Sequence, residues 1–296
     1  MQGWQQTVDV YVRRDHRPQD GRRAPVFFFV HGGGWIIGDK LTAPYTLFAR
    51  LLRDGWIVVS CNYRLAPRVA LPELFTDVKG ALAWVKTEGC TRFGGDPAAV
   101  ACGGESAGGH LALMLAVTAN ERAFQPDCEG VDTSMAACVD LYGLNDLADS
   151  QGHYARRDHG ATRRFLAVKV FQRPWEGNEA LYQQYTPSAW LARRPAEALP
   201  PFLLVHGGID NLVPVEDSQA FFAALQQRRA QAAAKAAANG APGGDGGGGA
   251  APDVLIVLPT AHHSFNWVPS PRTLAVDEAA AAFLRRTVVE RRPVVA

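Results

Sequence analysis

A serine between glycines is the strongest chemical signal in the sequence. Residues 104–108 read GESAG, a GxSxG pattern between a predicted strand at 99–103 and a predicted helix that begins at Ser106. A nucleophilic serine needs its hydroxyl on a sharp strand-to-helix turn, and flanking glycines let strand and helix approach without Cβ clashes. The pattern predicts that Ser106 attacks a carbonyl carbon; the alternative is an ordinary glycine-rich turn.

A glycine run early in the chain supplies a second element. Residues 31–35 read HGGGW and follow a predicted strand. Acyl transfer builds negative charge on the carbonyl oxygen, and each well-placed amide donor lowers the barrier by roughly 3 kcal/mol. We predict that the amides of Gly33, Gly34 and Ala107 form this oxyanion hole. His31 could act as a base, but we expect it to brace the loop.

An acid is expected after a late strand. Residues 201–210 read PFLLVHGGID, so a strand ends near His206 and two glycines carry the chain to Asp210. A carboxylate at that position can orient an imidazole. A turn-forming role is the alternative for Asp210. Asp217 is a reserve acid, but we expect it on the solvated face of a helix.

A base is expected after the last strand, where the sequence has two adjacent histidines, His262 and His263. Neighbouring side chains in a loop point in different directions, so only one can serve. The order serine, aspartate, histidine is that of α/β-hydrolases. His206 is a weaker rival, because structural histidines are common at strand ends. The residues alone leave the choice between His262 and His263 open.

Short apolar runs alternate with helical stretches along the chain, which predicts one α/β domain over residues 1–296 with a mostly parallel sheet between helices. Predicted strands are 7–12, 25–30, 56–62, 99–103, 135–142, 201–206 and 254–258, and predicted helices are 71–88, 106–120, 214–229 and 274–287. Residues 145–195, rich in arginine and aromatics, are predicted to form an inserted cap. Residues 230–252, mostly alanine, glycine and glutamine, are predicted to form a flexible insertion.

The composition excludes several classes of partner. Thirty Lys and Arg against 29 Asp and Glu give a net charge of +1, so nucleic acid and anionic membranes are not expected partners. The sequence has no apolar run of membrane-spanning length and no signal-like start, which predicts a soluble, cytoplasmic chain. Five cysteines without a CxxC pair predict buried thiols and no metal site. Nothing in the composition indicates the oligomeric state.

Five ordered segments carry a resemblance to a known family. They are HGGGW (31–35), SCNYRLAP with LPELFTDVKGALAWV (60–67 and 71–85), FGGDPAAVACGGESAGGHLALMLA (93–116), HGGIDNLVP (206–214) and HHSF (262–265). Together they resemble the hormone-sensitive-lipase-like carboxylesterases of the α/β-hydrolase superfamily, over nearly the whole chain. The resemblance implies an α/β-hydrolase fold and a serine esterase that needs no metal or organic cofactor. The aromatic and arginine content of residues 145–195 suggests an apolar pocket with a polar rim, which favours small or medium apolar esters as substrates.

The resemblance also implies roles for particular residues. The nucleophile falls on Ser106 and the acid on Asp210. The family's base usually stands two residues before a phenylalanine, here Phe265, which favours His263 over His262. Trp35, where many relatives have phenylalanine, is expected to contact substrate.

Arg64 and Asp77 are expected to be structural, again by resemblance. Relatives of this type usually begin with helices that roof the site, whereas little chain precedes the HGGGW strand here. The expectation is therefore either a fragment or a pocket roofed by residues 145–195 alone.

Three alternatives to an esterase stay open, one of which is a purely structural interaction protein. An amidase such as an arylformamidase, or a serine peptidase, would use the same three residues. A non-catalytic ligand receptor is a different class, since plant gibberellin receptors resemble this family but lack a complete triad. The presence of all the triad candidates argues against a receptor.

Overall fold

The structure, a computed structural model, describes residues 6–17, 23–239 and 253–290. Its centre is a seven-stranded sheet in the order β1-β3-β2-β4-β5-β6-β7, in which only β1 runs antiparallel to its neighbour. The strands are β1 (Val8–Tyr11), β2 (Ala24–Val30), β3 (Ile57–Cys61), β4 (Gly95–Glu105), β5 (Cys138–Leu141), β6 (Phe202–Gly207) and β7 (Val254–Leu258). In such a sheet, the loops after parallel strands meet at one edge, where ligand sites form.

Helices cover both faces of this sheet. They are α1 (Tyr45–Arg53), α2 (Leu71–Trp84), α3 (Cys90–Phe93), α4 (Ala107–Val117), α5 (His153–Asp158), α6 (Ala161–Phe165), α7 (Glu179–Gln184), α8 (Pro187–Arg193), α9 (Val215–Ala238) and α10 (Pro271–Leu284). Wider π-helical turns continue α2, α6 and α10 at Val85–Gly89, Leu166–Val170 and Arg285–Val289.

Alternation along β2 explains the two layers of core. Phe28 and Val30 pack on one face with α2 and α4, whereas Phe27 and Phe29 pack on the other with α1 and α10. Successive side chains of a strand point to opposite faces, so a continuous apolar strand needs cover on both sides. The predicted parallel sheet between helices is confirmed.

The predicted flexible insertion at residues 230–252 is wrong over its first part. Helix α9 continues without interruption to Ala238. Residues 230–238 are seven alanines with one glutamine and one lysine, and alanine has the highest helix propensity of all residues. The prediction grouped this alanine run with the glycines that follow it, although the two have opposite propensities. Residues 240–252 lie outside the described residues.

Residues 145–195, the predicted cap, lie between β5 and β6 and contain the short helices α5 to α8. Aromatic side chains hold these helices to the domain: Tyr185 packs edge-on against Phe75 of α2 and against Phe124. The Nε2 of His110 in α4 lies 2.8 Å from the backbone oxygen of Tyr185. The segment is therefore packed against the sheet domain through buried contacts.

Asp77 and Arg64 form a partly buried ion pair that fixes the loop after β3. The Asp77 carboxylate accepts from the Arg64 backbone N–H at 3.0 Å and from its Nε and Nη2 at 2.7 Å each. The Asp77 side chain is 2% exposed and that of Arg64 37%. This arrangement fits the structural role that the resemblance gave to both residues.

Replacing Asp77 by alanine is therefore expected to lower the free energy of unfolding by about 2 to 4 kcal/mol, since it leaves a guanidinium and an amide without their acceptor. The measurement is chemical denaturation followed by circular dichroism. Asp15→Ala, which removes an exposed partner of Arg13, is the control and should leave the midpoint unchanged. Equal midpoints for Asp77→Ala and the wild type would contradict the structural role.

Candidate active site

Ser106 lies on a strained turn between β4 and α4. Its φ is 53° and its ψ is −123°, a conformation that costs a non-glycine residue of order 1–3 kcal/mol. The Ser106 backbone N–H donates to the Leu141 oxygen at 2.9 Å, which ties the turn to the end of β5. The strain and its anchoring are those of a nucleophile elbow.

Gly108 allows the first turn of α4 to lie directly against β2. A Cβ at this position would collide with the backbone oxygens of Val30 and His31. Any side chain there would push the helix away from the strand and displace Ser106 with it. The second glycine of the GxSxG pattern is thus required by the close approach of two backbones.

Ser106, His263 and Asp210 form one chain of hydrogen bonds. The Nε2 of His263 lies 2.9 Å from the Ser106 Oγ, and its Nδ1 lies 2.7 Å from Oδ2 of Asp210. A carboxylate only accepts, so Nδ1 carries the proton and Nε2 is free to accept from the serine hydroxyl. The arrangement can take a proton from Ser106 and hold it beside a negative charge.

The Asp210 carboxylate is buried, and both of its oxygens have hydrogen-bonding partners. Its Oδ1 accepts from the backbone N–H groups of Leu212 and Val213 at 2.8 and 2.9 Å. Burial alone would raise the pKa of Asp210, but hydrogen bonds from His206 and His263 outweigh it and hold the pKa well below its usual range. Asp210 therefore stays ionised wherever the protein is folded near neutral pH.

A buried polar cluster supports the loop that carries His263. Tyr142 packs edge-on against the His263 ring with centroids 4.7 Å apart, and its hydroxyl donates to Glu105 Oε2 at 3.0 Å. Asn266 contacts both partners: its Nδ2 donates to Glu105 at 3.1 Å, and its Oδ1 is a second acceptor for the single proton of the Tyr142 hydroxyl. Burial raises the pKa of Glu105, although these donors offset part of the effect. Glu105, the residue before Ser106, thus anchors the loop that carries His263.

The HGGGW loop and the start of α4 leave backbone amides without a protein acceptor among the described residues. Gly33 has φ of +111°, and a Cβ there would collide with the Ile37 backbone oxygen. Within the ranges that the structure describes, the N–H groups of Gly33, Gly34 and Ala107 donate to no protein acceptor. Ala107 is the first residue of α4, where amides have no acceptor within the helix. These three amides are available to an anionic oxygen.

A cavity of about 590 Å³ opens onto the Ser106 hydroxyl. Its wall is mainly apolar, and residues of the 145–195 segment form one side of it. The lining comprises Gly34, Trp35, Ser106, Leu144, Arg157, Asp158, Ala161, Thr162, Phe165, Leu166, Asn211, Leu212, Val213 and His263. A site of this size and character fits a small organic molecule with an apolar group.

The structure separates the remaining histidine candidates. His262 is exposed, while His31 is buried, stacks on Tyr63 at 4.3 Å and lies 2.7 Å from the Gly32 oxygen through Nδ1. Burial lowers the pKa of His31 to about 4. His31 therefore braces the loop, and neither it nor His262 is hydrogen-bonded to Ser106 in the described part of the chain. His206 lies beside Asp210 instead.

The expectation that Asp217 is solvated is wrong. Asp217 is 1% exposed, and its Oδ2 accepts from the Asn145 backbone N–H and from the Tyr154 hydroxyl, both at 2.8 Å. Burial raises its pKa to about 6. The helical spacing correctly predicted that Asp217 lies in a helix. It did not indicate that residues 145–195 cover the face of α9 on which Asp217 lies.

Several lining residues carry no signal in the sequence. Leu144 and Arg157 reach the cavity from a loop and from α5, outside every motif of the sequence, and Leu212 lies within HGGIDNLVP but was given no role there. The aromatic content of residues 145–195 did suggest an apolar wall, and Phe165 is part of it. Trp35, the expected substrate contact, lines the cavity and packs edge-on against His110 at 5.4 Å.

No helix within the described residues is long and apolar enough to cross a membrane. All five cysteines are free thiols, four of them buried and Cys128 partly exposed.

The sheet order, the elbow at Ser106 and the position of His263 after β7 define an α/β-hydrolase fold, as the sequence predicted. Within that class, the chain belongs to the BD-FAE family, whose model matches residues 8–225. This match confirms the resemblance to the hydrolases of this superfamily.

Similar proteins include two esterases of Mycobacterium tuberculosis. The chain is 36% identical to esterase LipQ over 95% of its own length and 59% of that protein, and 32% identical to esterase LipC over 95% and 62%. It thus spans about three fifths of these relatives. A butyrate-bound structure of esterase Est2 from Thermogutta terrifontis has a TM-score of 0.68 at 22% identity, covering 94% of this chain and 87% of that one.

Proposed function

We propose that the chain is a serine carboxylesterase that hydrolyses small or medium apolar carboxylic esters through an acyl-enzyme. The observation that carries the proposal is the hydrogen-bonded chain from Ser106 through His263 to Asp210, which opens into the largely apolar cavity. Relatives named as esterases support the reaction class.

In the first half of the reaction, Ser106 Oγ attacks the ester carbonyl while His263 Nε2 takes its proton. Asp210 stabilises the imidazolium that forms, without itself being protonated. The amides of Gly33, Gly34 and Ala107 stabilise the oxyanion, because they have no competing acceptor in the described structure. The imidazolium then protonates the leaving alcohol, and the acyl group remains on Ser106.

In the second half, a water molecule replaces the alcohol. His263 takes a proton from the water, and the hydroxide attacks the acyl-serine through the same oxyanion geometry. The Ser106 oxygen recovers its proton and the carboxylic acid leaves. The same imidazole is base and acid in turn, so protonation of His263 in the free enzyme blocks the reaction. Since Asp210 stays ionised, we expect kcat/KM to fall on acidification along a single limb.

The cavity supports a preference for short to medium acyl groups. Phe165, Leu166 and Leu144 give it apolar walls, while Arg157 and Asp158 make one side polar. The structural relative Est2, which has a similar fold, was determined with butyrate bound. A long acyl chain would have to leave the cavity and expose its end to water.

A panel of p-nitrophenyl acetate, butyrate, octanoate and palmitate, with p-nitrobutyranilide beside it, tests the substrate class. We expect kcat/KM to be highest for butyrate or octanoate, to fall for palmitate, and to be far lower for the anilide. Turnover of the anilide as fast as the butyrate ester would favour the amidase alternative. Tight binding of esters without turnover would favour the receptor.

A further inference from the structure

A second imidazole contacts the carboxylate of Asp210. His206, the second-last residue of β6, is fully buried, and its Nε2 lies 3.3 Å from Asp210 Oδ2. The same oxygen accepts from His263 Nδ1 at 2.7 Å. One carboxylate oxygen is therefore shared by two histidines from different strands' ends.

Hydrogen-bonding partners determine which His206 nitrogen carries a proton. Nε2 faces only acceptors, the Asp210 carboxylate and the Val213 backbone oxygen at 3.1 Å, so it must be the donor. Nδ1 lies 2.8 Å from the hydroxyl of Ser218, which can donate because its oxygen already accepts from Asn145 Nδ2 at 3.1 Å. In both the neutral and the cationic state, Nε2–H donates to the Val213 oxygen, and Nε2 lies 3.3 Å from Asp210 Oδ2 beside that hydrogen bond.

The charges around His206 favour that contact. Burial would lower the pKa of His206, but the negative Asp210 carboxylate beside Nε2 outweighs it and raises the pKa above the usual value. Asp140 on the adjacent strand β5 is a second carboxyl nearby, with its own pKa raised by burial to about 7. Asp217 of α9, whose pKa is about 6, is one residue before Ser218.

We propose that His206 is a positioning residue: its Nε2, held in place by the hydrogen bond to Val213, faces Oδ2 of Asp210, fixes the direction of that carboxylate and shares its negative charge with His263. The inference rests on the proposed function. Two backbone amides donate to Oδ1, whereas among the described residues Oδ2 is hydrogen-bonded to His263 and has His206 Nε2 beside it. Without His206, the carboxylate can turn about its side-chain bond, and its charge acts on His263 alone.

Two polar variants separate this role from packing. Gln carries its amide nitrogen at about the place of Nε2 and can still donate to Asp210, whereas the shorter Asn reaches only the place of Nδ1. We expect His206→Asn to lower kcat about 10- to 100-fold with little change in KM, because the base is misdirected while the cavity is intact. Its acid limb of kcat/KM should move to higher pH, since the undivided carboxylate charge favours the cationic form of His263. His206→Gln should stay within about threefold of the wild type, with the limb unmoved.

Ser218→Ala is the matched control, because it removes the Nδ1 partner and leaves the contact to Asp210. Its acid limb should not move. Thermal midpoints establish that each variant is folded. A folded His206→Asn with wild-type kcat and pH profile, or a limb displaced equally in His206→Asn and Ser218→Ala, would overturn the proposal. Should His206→Asn not fold, a folded His206→Gln with a displaced limb would overturn it, and an unmoved limb supports it.

These outcomes are separable from the proposed function. Hydrolysis of p-nitrophenyl butyrate by the wild type, and its loss in Ser106→Ala, test the esterase assignment without His206. An active wild type whose His206 variants keep the wild-type kcat and pH profile would refute only the positioning role.

Discussion

Replacing Ser106 by alanine is expected to lower kcat for p-nitrophenyl butyrate roughly 10⁴-fold or more while leaving the fold intact. The substitution removes one hydroxyl from the cavity wall and keeps the backbone anchor to Leu141. Without that oxygen no acyl-enzyme can form, and only the contribution of the oxyanion amides and of substrate binding remains.

Ser134→Ala is the control for this experiment, because Ser134 is exposed and its hydroxyl bonds only Asp132 among the described residues. It should retain wild-type kcat. A folded Ser106→Ala that keeps a tenth of the wild-type rate, free of contaminating esterase, would refute Ser106 as the nucleophile.

The second large effect is expected from His263→Gln, which should also lower kcat roughly 10⁴-fold or more. A glutamine amide can hydrogen-bond to Ser106, but it cannot take up the proton that the attack releases. His262→Gln is the natural comparison, since His262 is adjacent but exposed. It should stay within about threefold of the wild type, as is usual for exposed side chains.

Kinetics of both histidine variants, measured side by side, decide the assignment of the base. An inactive His262→Gln beside an active His263→Gln would reverse it. Two active variants would require a base elsewhere, with His206 and His31 as the remaining candidates.

The sequence was sufficient for the elements that have strong local causes. The GxSxG glycines, the apolar run of β2 and the helical spacing of α4 each depend on backbone geometry or on burial of both strand faces, and the structure agrees with them. The predicted helix ended too early for α9, because alanine and glycine in one low-complexity stretch were treated alike although their helix propensities differ.

Contacts between distant segments could not be predicted from the sequence. Tyr142 and Asn266 are 124 positions apart, and nothing in either neighbourhood indicates that both meet Glu105. The burial of Asp217 likewise depends on Tyr154 of the covering segment. The shared Asp210 oxygen was invisible for the same reason, although His206 stands only four residues before it.

Covalent labelling with paraoxon tests the central claim most directly. A serine esterase is phosphorylated at its nucleophile and loses activity in step with labelling, because the phosphoryl group occupies the position of the acyl group. Digestion and tandem mass spectrometry should place a single diethylphosphoryl group on Ser106 in the wild type and none on that peptide in Ser106→Ala. Inactivation with the adduct on another residue, or full activity with Ser106 quantitatively labelled, would contradict the account.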